Sequence, residues 1–421
     1  MSKKLEELLK QLLDLHPKYI DLSLDRLVKL LKKLDNPEKK LPPIIHIAGT
    51  NGKGSTLSYI RYILMEHNLM VHAYISPHLK FFNERIILSN KEVNTNKLNK
   101  ALEFVQKINN NEPITFFEIT TAVAFYLYSK EKADFIILET GLGGRLDATN
   151  VVKNNLISII TPIGVDHQEF LGNNILKITN EKLGIIKKNS KIIIAKQKPI
   201  IKSHIIKKLK TIKQDIIFYN KEFRIISKAK SSFTIMFKKE IITFKRPGLI
   251  GEHQLENAST AIATILQLKE LGYKFSNKKI SNAILKTKWP GRLEKGSMGN
   301  IKVYLDGAHN LDGAKQILKY FKEKKIKIWL VLGMLNNKDL YVFLKKIKPI
   351  IKGVIAISIP NEKNSFTPEE IIKTCNKLNL PSFPKSSILQ ANNFLLEKIK
   401  PQTVLITGSL YLIGKIRNQY L

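Results

Sequence analysis

The sequence predicts a two-domain α/β protein, a parallel-sheet domain followed by a smaller α/β unit with its own sheet. Three observations predict this. The apolar run Ile44-Ile45-His46-Ile47 leads into GTNGKGST, Gly49 to Thr56, and a helical pattern follows from near Leu57. From there to Lys196, short apolar runs alternate with helical periods. Parallel strands covered by helices on both faces read this way. Trp289-Pro290-Gly291-Arg292 then breaks the pattern, and a second strand-and-helix series begins beyond it.

From the N-terminus, residues 1–40 read as two helices punctuated by Pro17 and Asn36-Pro37. The opening stretch, MSKKLEELLKQLLDL, mixes charge through its apolar positions, which makes it an amphipathic helix and not a signal peptide. Strands are expected over Ile44–Ala48, Val71–Ile75, Asp134–Leu138, Leu156–Thr161 and Lys191–Ala195. Between Ile216 and Phe244 the runs are shorter and closer, as in an antiparallel hairpin set. Helical pattern resumes over Gln254–Leu271 and Asn277–Lys286. In the second series Lys302–Asp306, Ile326–Gly333, Gly353–Ser358 and Val404–Thr407 are strand-like. The domains are drawn as 1–294 and 295–421.

Composition bounds the function. A chain of 421 residues is too long for one core, and its 43% hydrophobic share supplies more than one. No apolar stretch approaches the roughly 20 residues that span a bilayer. The single cysteine, Cys375, excludes an internal disulfide and any site built from several thiolates, and makes the cytoplasm the expected compartment. The net charge of +35 raises nucleic-acid binding, but the basic residues are overwhelmingly Lys and spread along the chain. Arginines stand only at positions 26, 61, 85, 145, 224, 246, 292 and 417, with no recognition-helix signature. Abundant Lys, Ile and Asn together match an AT-rich coding sequence. The positive field still favours collection of anionic substrates.

The clearest chemistry lies in Gly49–Thr56. A strand, a glycine-rich turn and a helix start bring backbone N–H groups and a positive helix end to phosphate oxygens, and Lys53 adds its charge. A Walker A run would need Gly in place of Ile47 and a hydroxyl directly after the lysine. Here Gly54 intervenes, and Ser55 and Thr56 carry the hydroxyls. Ser76-Pro77-His78-Leu79, followed by Asn83-Glu84-Arg85, sits at a strand's carboxyl end, where α/β ligand sites lie, yet alone it reads as a Ser-Pro turn. Glu139 closes an apolar strand ahead of GLGGRLDATN, Gly141 to Asn150. A carboxylate there suits magnesium, and the glycines let backbone approach a ligand. Read singly, His167 is a satisfied polar residue, Lys182 a solvated helix face, Asn257 a helix polar residue and Phe117 core packing.

GTNGKGS, SPHL with NER, GLGGRLDATN, DGAHN (Asp306–Asn310) and TGSLY (Thr407–Tyr411) together resemble the folylpolyglutamate synthase and dihydrofolate synthase branch of the Mur-ligase superfamily. The matches run in the family's order from about Asp21 to Tyr411. The resemblance implies a P-loop domain like the Mur-ligase central domain and a Rossmann-like C-terminal domain. It implies ATP binding by Thr50, Asn51, Gly52, Lys53, Gly54 and Ser55, with Asn257 on the adenine side and Arg292 and Asp306 reaching the nucleotide. Ser76, Glu139 and His167 would hold magnesium, and a carbamylated Lys182 would help with a second ion. Asp21, Leu22, Ser23, Thr115, Phe117, Glu118, Leu146, Asp147 and Ala148 would lie on the pterin side. His309 and Ser409 would belong to the incoming-glutamate region and, with Lys53 and Lys182, are the catalytic candidates. Two residues depart from the family wording: Leu311 replaces Pro, and Asn337 replaces Asp.

The implied activity is an ATP-dependent ligation of L-glutamate onto dihydropteroate, tetrahydrofolate or both, through an acyl phosphate, in an interdomain cleft. The chain is expected to be a monomer with small-molecule partners and neither nucleic acid nor membrane. Folylpolyglutamate synthase activity alone remains open, as does another Mur-type amino-acid ligase, although the SPHL…NER and TFFE segments argue against the latter. A nucleic-acid-stimulated NTPase would account for the charge but leave GLGGRLDATN unexplained.

Overall fold

The computed structural model describes residues 3–16, 21–212 and 214–421, so the expected punctuation at Pro17 lies outside the described residues. The chain divides into two compact units. One comprises residues up to Gly248 with Leu255–Thr287, the other Leu249–Gln254 with Lys288–Leu421.

Among the described residues, the first unit is built on an eight-stranded sheet. Its strands are β1 (Ile44–Ala48), β2 (Val71–Tyr74), β3 (Ile86–Leu88), β4 (Lys91–Glu92), β5 (Phe135–Glu139), β6 (Ile157–Ile160), β7 (Lys191–Ile194) and β8 (Ile216–Phe218). They lie in the order β4-β3-β2-β5-β1-β6-β7-β8. The five expected strands are β1, β2, β5, β6 and β7, all joined in parallel. β1, β2, β5 and β6 are buried at every position, as a sheet covered on both faces requires.

Three expectations need correction. Ile216–Phe218 was expected in the hairpin set but pairs parallel with β7. Three apolar residues carry no period that could assign them. β3 and β4 were not expected, and pair antiparallel at the β2 edge, so the sheet is mixed. The helix after the glycine loop is Lys53–Glu66 and starts ahead of Leu57, because the small polar residues of the loop conceal its first turn. The hairpin set itself is a separate three-stranded antiparallel sheet of β9 (Phe223–Lys228), β10 (Ser232–Phe237) and β11 (Glu240–Lys245). On β10, Phe233, Ile235 and Phe237 are buried in alternation.

Helices Lys3–Leu13 and Asp25–Lys33 bury Leu5, Leu8 and Leu12, and Leu27, Leu30 and Leu31, at the three- and four-residue spacing of an amphipathic face. These leucines join Ile119, Val123 and Phe125 of helix Phe116–Ser129 in one core. Another core gathers Ile178, Leu183, Ile201 and Ile205 against Ile160 and Ile192.

The second unit carries β12 (Glu294–Met298), β13 (Ile301–Leu305), β14 (Ile328–Leu332), β15 (Ile351–Ala356), β16 (Ser382–Pro384) and β17 (Thr403–Thr407). Their order is β12-β13-β17-β14-β15-β16. The four expected strands form the parallel centre, and the unexpected β12 and β16 are its edges. Edge strands need no continuous apolar run, and EKGSM and SFP have none.

Candidate active site

The glycine loop is shaped by close approaches that only glycine permits. A Cβ on Gly49 would lie 1.9 Å from Thr161 Oγ1, and one on Gly52, at φ +83°, would lie 2.5 Å from Asn257 Oδ1. Asn257 is thereby brought against the phosphate loop. The amides of Thr50 and Asn51 both donate to the Pro162 carbonyl, at 3.0 and 3.1 Å, and Thr50 Oγ1 donates to the Gly164 carbonyl. The loop is thus pinned to the segment after β6.

Two lysines meet over this loop. Lys53 Nζ donates to the Gly49 carbonyl at 3.3 Å, and Lys182 Nζ donates to the same oxygen at 3.0 Å. Lys53 Nζ also stands 4.0 Å from Glu139 Oε1. Lys182 is only 5% exposed. Burial first, then the charge of Lys53, brings its pKa down to about 7, while Asp166 and Asp147 oppose the shift. Lys182 is therefore buried at the phosphate loop, the opposite of a solvated helix face.

The groups that would hold magnesium can be tested on their own chemistry. Ser76 Oγ is buried without a hydrogen-bond partner among the described residues, and the Ser76 amide points to Glu139 Oε2 at 3.4 Å. An orphaned hydroxyl beside a buried carboxylate suits a hard cation that takes oxygen ligands. His167 is at φ 52°, capping helix Gln168–Leu171, with its amide donating to Asp166 Oδ1. Among the described residues no three His, Cys, Asp or Glu side chains converge as a metal cluster. The fit therefore rests on Ser76 and Glu139.

SPHL and NER owe much of their wording to loop architecture. Glu84 accepts from the amides of Leu79, Lys80 and Phe81 at 2.6, 2.9 and 2.7 Å, and Arg85 Nε donates to His78 Nδ1 at 2.8 Å. Burial, with Arg85 alongside, keeps His78 neutral by pulling its pKa to about 3.

GLGGRLDATN and the segment Glu181–Gly184 interlock. A Cβ on Gly144 would lie 2.5 Å from the Glu181 carbonyl, and one on Gly184 2.4 Å from Arg145 Cβ. Arg145 forks onto Glu181 Oε1 at 3.1 and 3.0 Å. Asp147 accepts from the Leu142 and Thr149 amides and from Thr149 Oγ1, so its carboxylate closes the loop. Ala148 begins the short turn that Asp147 caps.

The pterin-side candidates also meet. Phe117 packs on this loop, 2.5 Å from where a Cβ of Gly141 would stand. Thr115 caps helix Phe116–Ser129 in a capping box with Glu118. Arg26 bonds both Asp21 and Glu118. Ser23 Oγ accepts from the Asp25 amide, so it serves the helix start. Leu22 and Leu146 line a cavity of about 330 Å³ with Phe170, Leu171 and Lys177.

In the second unit, DGAHN, Gly333 and TGSLY meet at the strand ends. Asp306 accepts from the Leu293 and Ala308 amides, both at 2.8 Å, and burial raises its pKa against the pull of Arg292. His309 Nδ1 lies 2.9 Å from the Gly307 carbonyl, and Ser409 Oγ caps helix Leu410–Ile416. Gly408 approaches Gly333, where a Cβ would lie 2.4 Å from the carbonyl. The departure at Leu311 is accommodated: the residue opens helix Leu311–Glu323 with its side chain 40% exposed, and Asn310 supplies the cap.

Residues 47–265 match the family model of the Mur ligase middle domain, and residues 291–410 that of the Mur ligase glutamate ligase domain. The chain is 32% identical over 414 residues to the dihydrofolate synthase/folylpolyglutamate synthase of Bacillus subtilis, 94% of each chain being covered. This chain belongs to the dihydrofolate synthase/folylpolyglutamate synthase family of Mur ligases. It is similar to E. coli FolC in complex with DHPP and ADP, with a TM-score of 0.88 and 27% identity, over 99% of this chain and 97% of that one. It is also similar to the bifunctional enzyme of Yersinia pestis complexed with AMPPNP and Mn ion, with a TM-score of 0.86 and 26% identity, over 99% and 97%. Membership makes the chain an ATP-dependent ligase.

The motifs still concealed some partners. Arg417, which forks onto Glu294 at 2.8 and 2.6 Å, carries no sequence signal. Nor does Thr161, the wall against Gly49. Both pairings join residues far apart in the chain.

Proposed function

We propose that the chain transfers the terminal phosphoryl group of ATP to the carboxyl group of dihydropteroate, and of tetrahydrofolate with its glutamate tail, and then joins L-glutamate to the activated acyl carbon. The observation that carries this reading is the convergence of Lys53 and Lys182 on the Gly49 carbonyl beside Glu139 and Ser76. A carboxylate resists an amine because hydroxide leaves poorly. As an acyl phosphate it expels phosphate instead, when the glutamate nitrogen attacks and sheds its proton.

Lys53 and the amides that open helix Lys53–Glu66 would stabilise charge on the transferring group. Ser76 Oγ and Glu139, with His167, would hold the magnesium, which when bound would draw charge from the phosphate oxygens. Lys182, buried with a pKa of about 7, supplies enough neutral amine to react with carbon dioxide. Its carbamate would be a carboxylate-like ligand for a second ion. Leu22, Leu146 and Phe117 would receive the flat ring, and Asn257, Arg292 and Asp306 the nucleotide. His309 and Ser409 are assigned to glutamate. The enzyme would act in the cytoplasm as a monomer. Among the described residues no helix is long and apolar enough to cross a membrane.

Dihydropteroate labelled with ¹⁸O in its carboxyl group tests the reading. Label should appear in released phosphate, and each acceptor offered separately should yield its own glutamate adduct. Turnover without label transfer would overturn the acyl phosphate; an inert acceptor would remove that activity. Incubation with ¹³C-bicarbonate should label Lys182, and an unlabelled side chain in active enzyme would remove the carbamate.

A further inference from the structure

Arginine is scarce in this chain, at 8 of 70 basic residues, and a planar fork does what lysine cannot. Arg26 uses its whole fork. Nη1 donates to Asp21 Oδ2 at 2.9 Å, Nη2 to the Asp21 carbonyl at 3.0 Å, and Nε to Glu118 Oε2 at 3.1 Å. It thereby joins the segment that carries Leu22 to a helix start 92 positions away in sequence.

The bonding of Glu118 is one-sided. Its Oε2 accepts from Arg26 and from both the amide and the hydroxyl of Thr115, at 2.8 and 2.7 Å. Its Oε1 is buried without a partner among the described residues. A buried carboxylate oxygen left open beside a fixed one is costly unless a donor meets it. Phe117, next in sequence, lies on Gly141 of the loop whose Leu146 lines the cavity with Leu22.

We infer that Arg26 is a positioning residue for the pteroate pocket, holding the Glu118 carboxylate in place so that its open oxygen accepts an N–H of the ring. A pterin presents an amide N–H beside an amino group, an edge made for a carboxylate acceptor. The inference rests on the function proposed above. Arg26 touches no reacting atom, so its loss acts on acceptor binding and leaves phosphoryl transfer intact.

The test is steady-state kinetics of Arg26→Gln, Arg26→Lys, Glu118→Gln and the double variant Arg26→Gln/Glu118→Gln, with KM measured for dihydropteroate, ATP and glutamate. Arg26→Gln should raise KM for dihydropteroate about tenfold or more. Its kcat and its KM for ATP should stay within about threefold. Arg26→Lys should fall between, because an ammonium cannot serve both acids. The double variant should be no worse than Glu118→Gln alone, since both act through one oxygen. An unchanged KM for dihydropteroate in Arg26→Gln overturns the inference. So does an equal loss toward all three substrates, or additivity in the double variant, because either marks a merely structural clamp. A wild-type enzyme inert toward dihydropteroate instead sinks the proposed function, an outcome distinct from all of these.

Discussion

The two units both end parallel strands in glycine-rich motifs, yet they use their polar side chains differently. In the second unit the motif residues are absorbed by their own backbone. Asp306 takes two amides, Asn310 and Ser409 cap helices, and His309 meets the Gly307 carbonyl. In the first unit, buried polar groups after β2 and on two helices are left unfinished. Among the described residues Ser76 Oγ and Glu118 Oε1 have no hydrogen-bond partner, and Lys182 is held near its point of deprotonation. Side chains that complete loops give rigidity, whereas unfinished ones give reactivity. Under the proposed function the reactive charge would belong to the first unit, and the second would present a preformed surface.

Lys53→Ala offers the hardest test of that contrast. It should lower kcat by on the order of a thousandfold, with the thermal midpoint unchanged. Retained turnover would remove the phosphate loop from the chemistry. Ser76→Ala should cost about ten- to a hundredfold in activity at low magnesium, partly recovered as magnesium is raised, again without loss of stability. A stability loss in place of the metal dependence would make Ser76 a loop residue like those of the second unit.

The opposite signature is expected across the sheet ends of the second unit. Asp306→Ala orphans two backbone amides and should destabilise by about 2 kcal/mol, seen in denaturant midpoints, together with any loss in nucleotide affinity. Ser409→Ala should cost about 1 kcal/mol as a lost helix cap. If either variant lost activity while its denaturation midpoint stayed put, the contrast would fail.

Acid should separate the units as well. Burial holds His46 and His78 at about 3 and His72 at about 4 in the first unit, and His253 at about 4 in the second. The unfolded chain binds these protons near pH 6.5. Between that value and pH 3–4 the unfolded state holds more protons, so stability rises with pH in this window and falls on acidification. Above it these groups contribute no slope. Hydrogen exchange at pH 7.5 and pH 5 should show the larger loss of protection in the first unit; equal losses would mean that the histidines do not govern it.

Much of this was legible in the sequence for physical reasons. Fully buried strands such as IIHIA and FIILE are apolar throughout, and glycine-rich turns mark where backbone must come close to something. Short edge strands were illegible because β4, β12 and β16 need no apolar face. Among the site residues, Lys53 and Ser76 both lie near Glu139, because β2, β5 and β1 are neighbours in the sheet. The burial of Lys182 was not readable, since its environment is made by Gly49 and Gly144, far away in the chain. Nor was the dual use of Asp306, whose amide partners lie on either side of it.

The mutual seating of Gly144 on the Glu181 carbonyl and of Gly184 on Arg145 sets a rule for anyone building chimeras with relatives. Neither stretch has room for a foreign partner: the backbones touch where no methyl fits. A graft that imports residues 141–150 without 181–185 should misplace the buried lysine, while transplanting both together should preserve it.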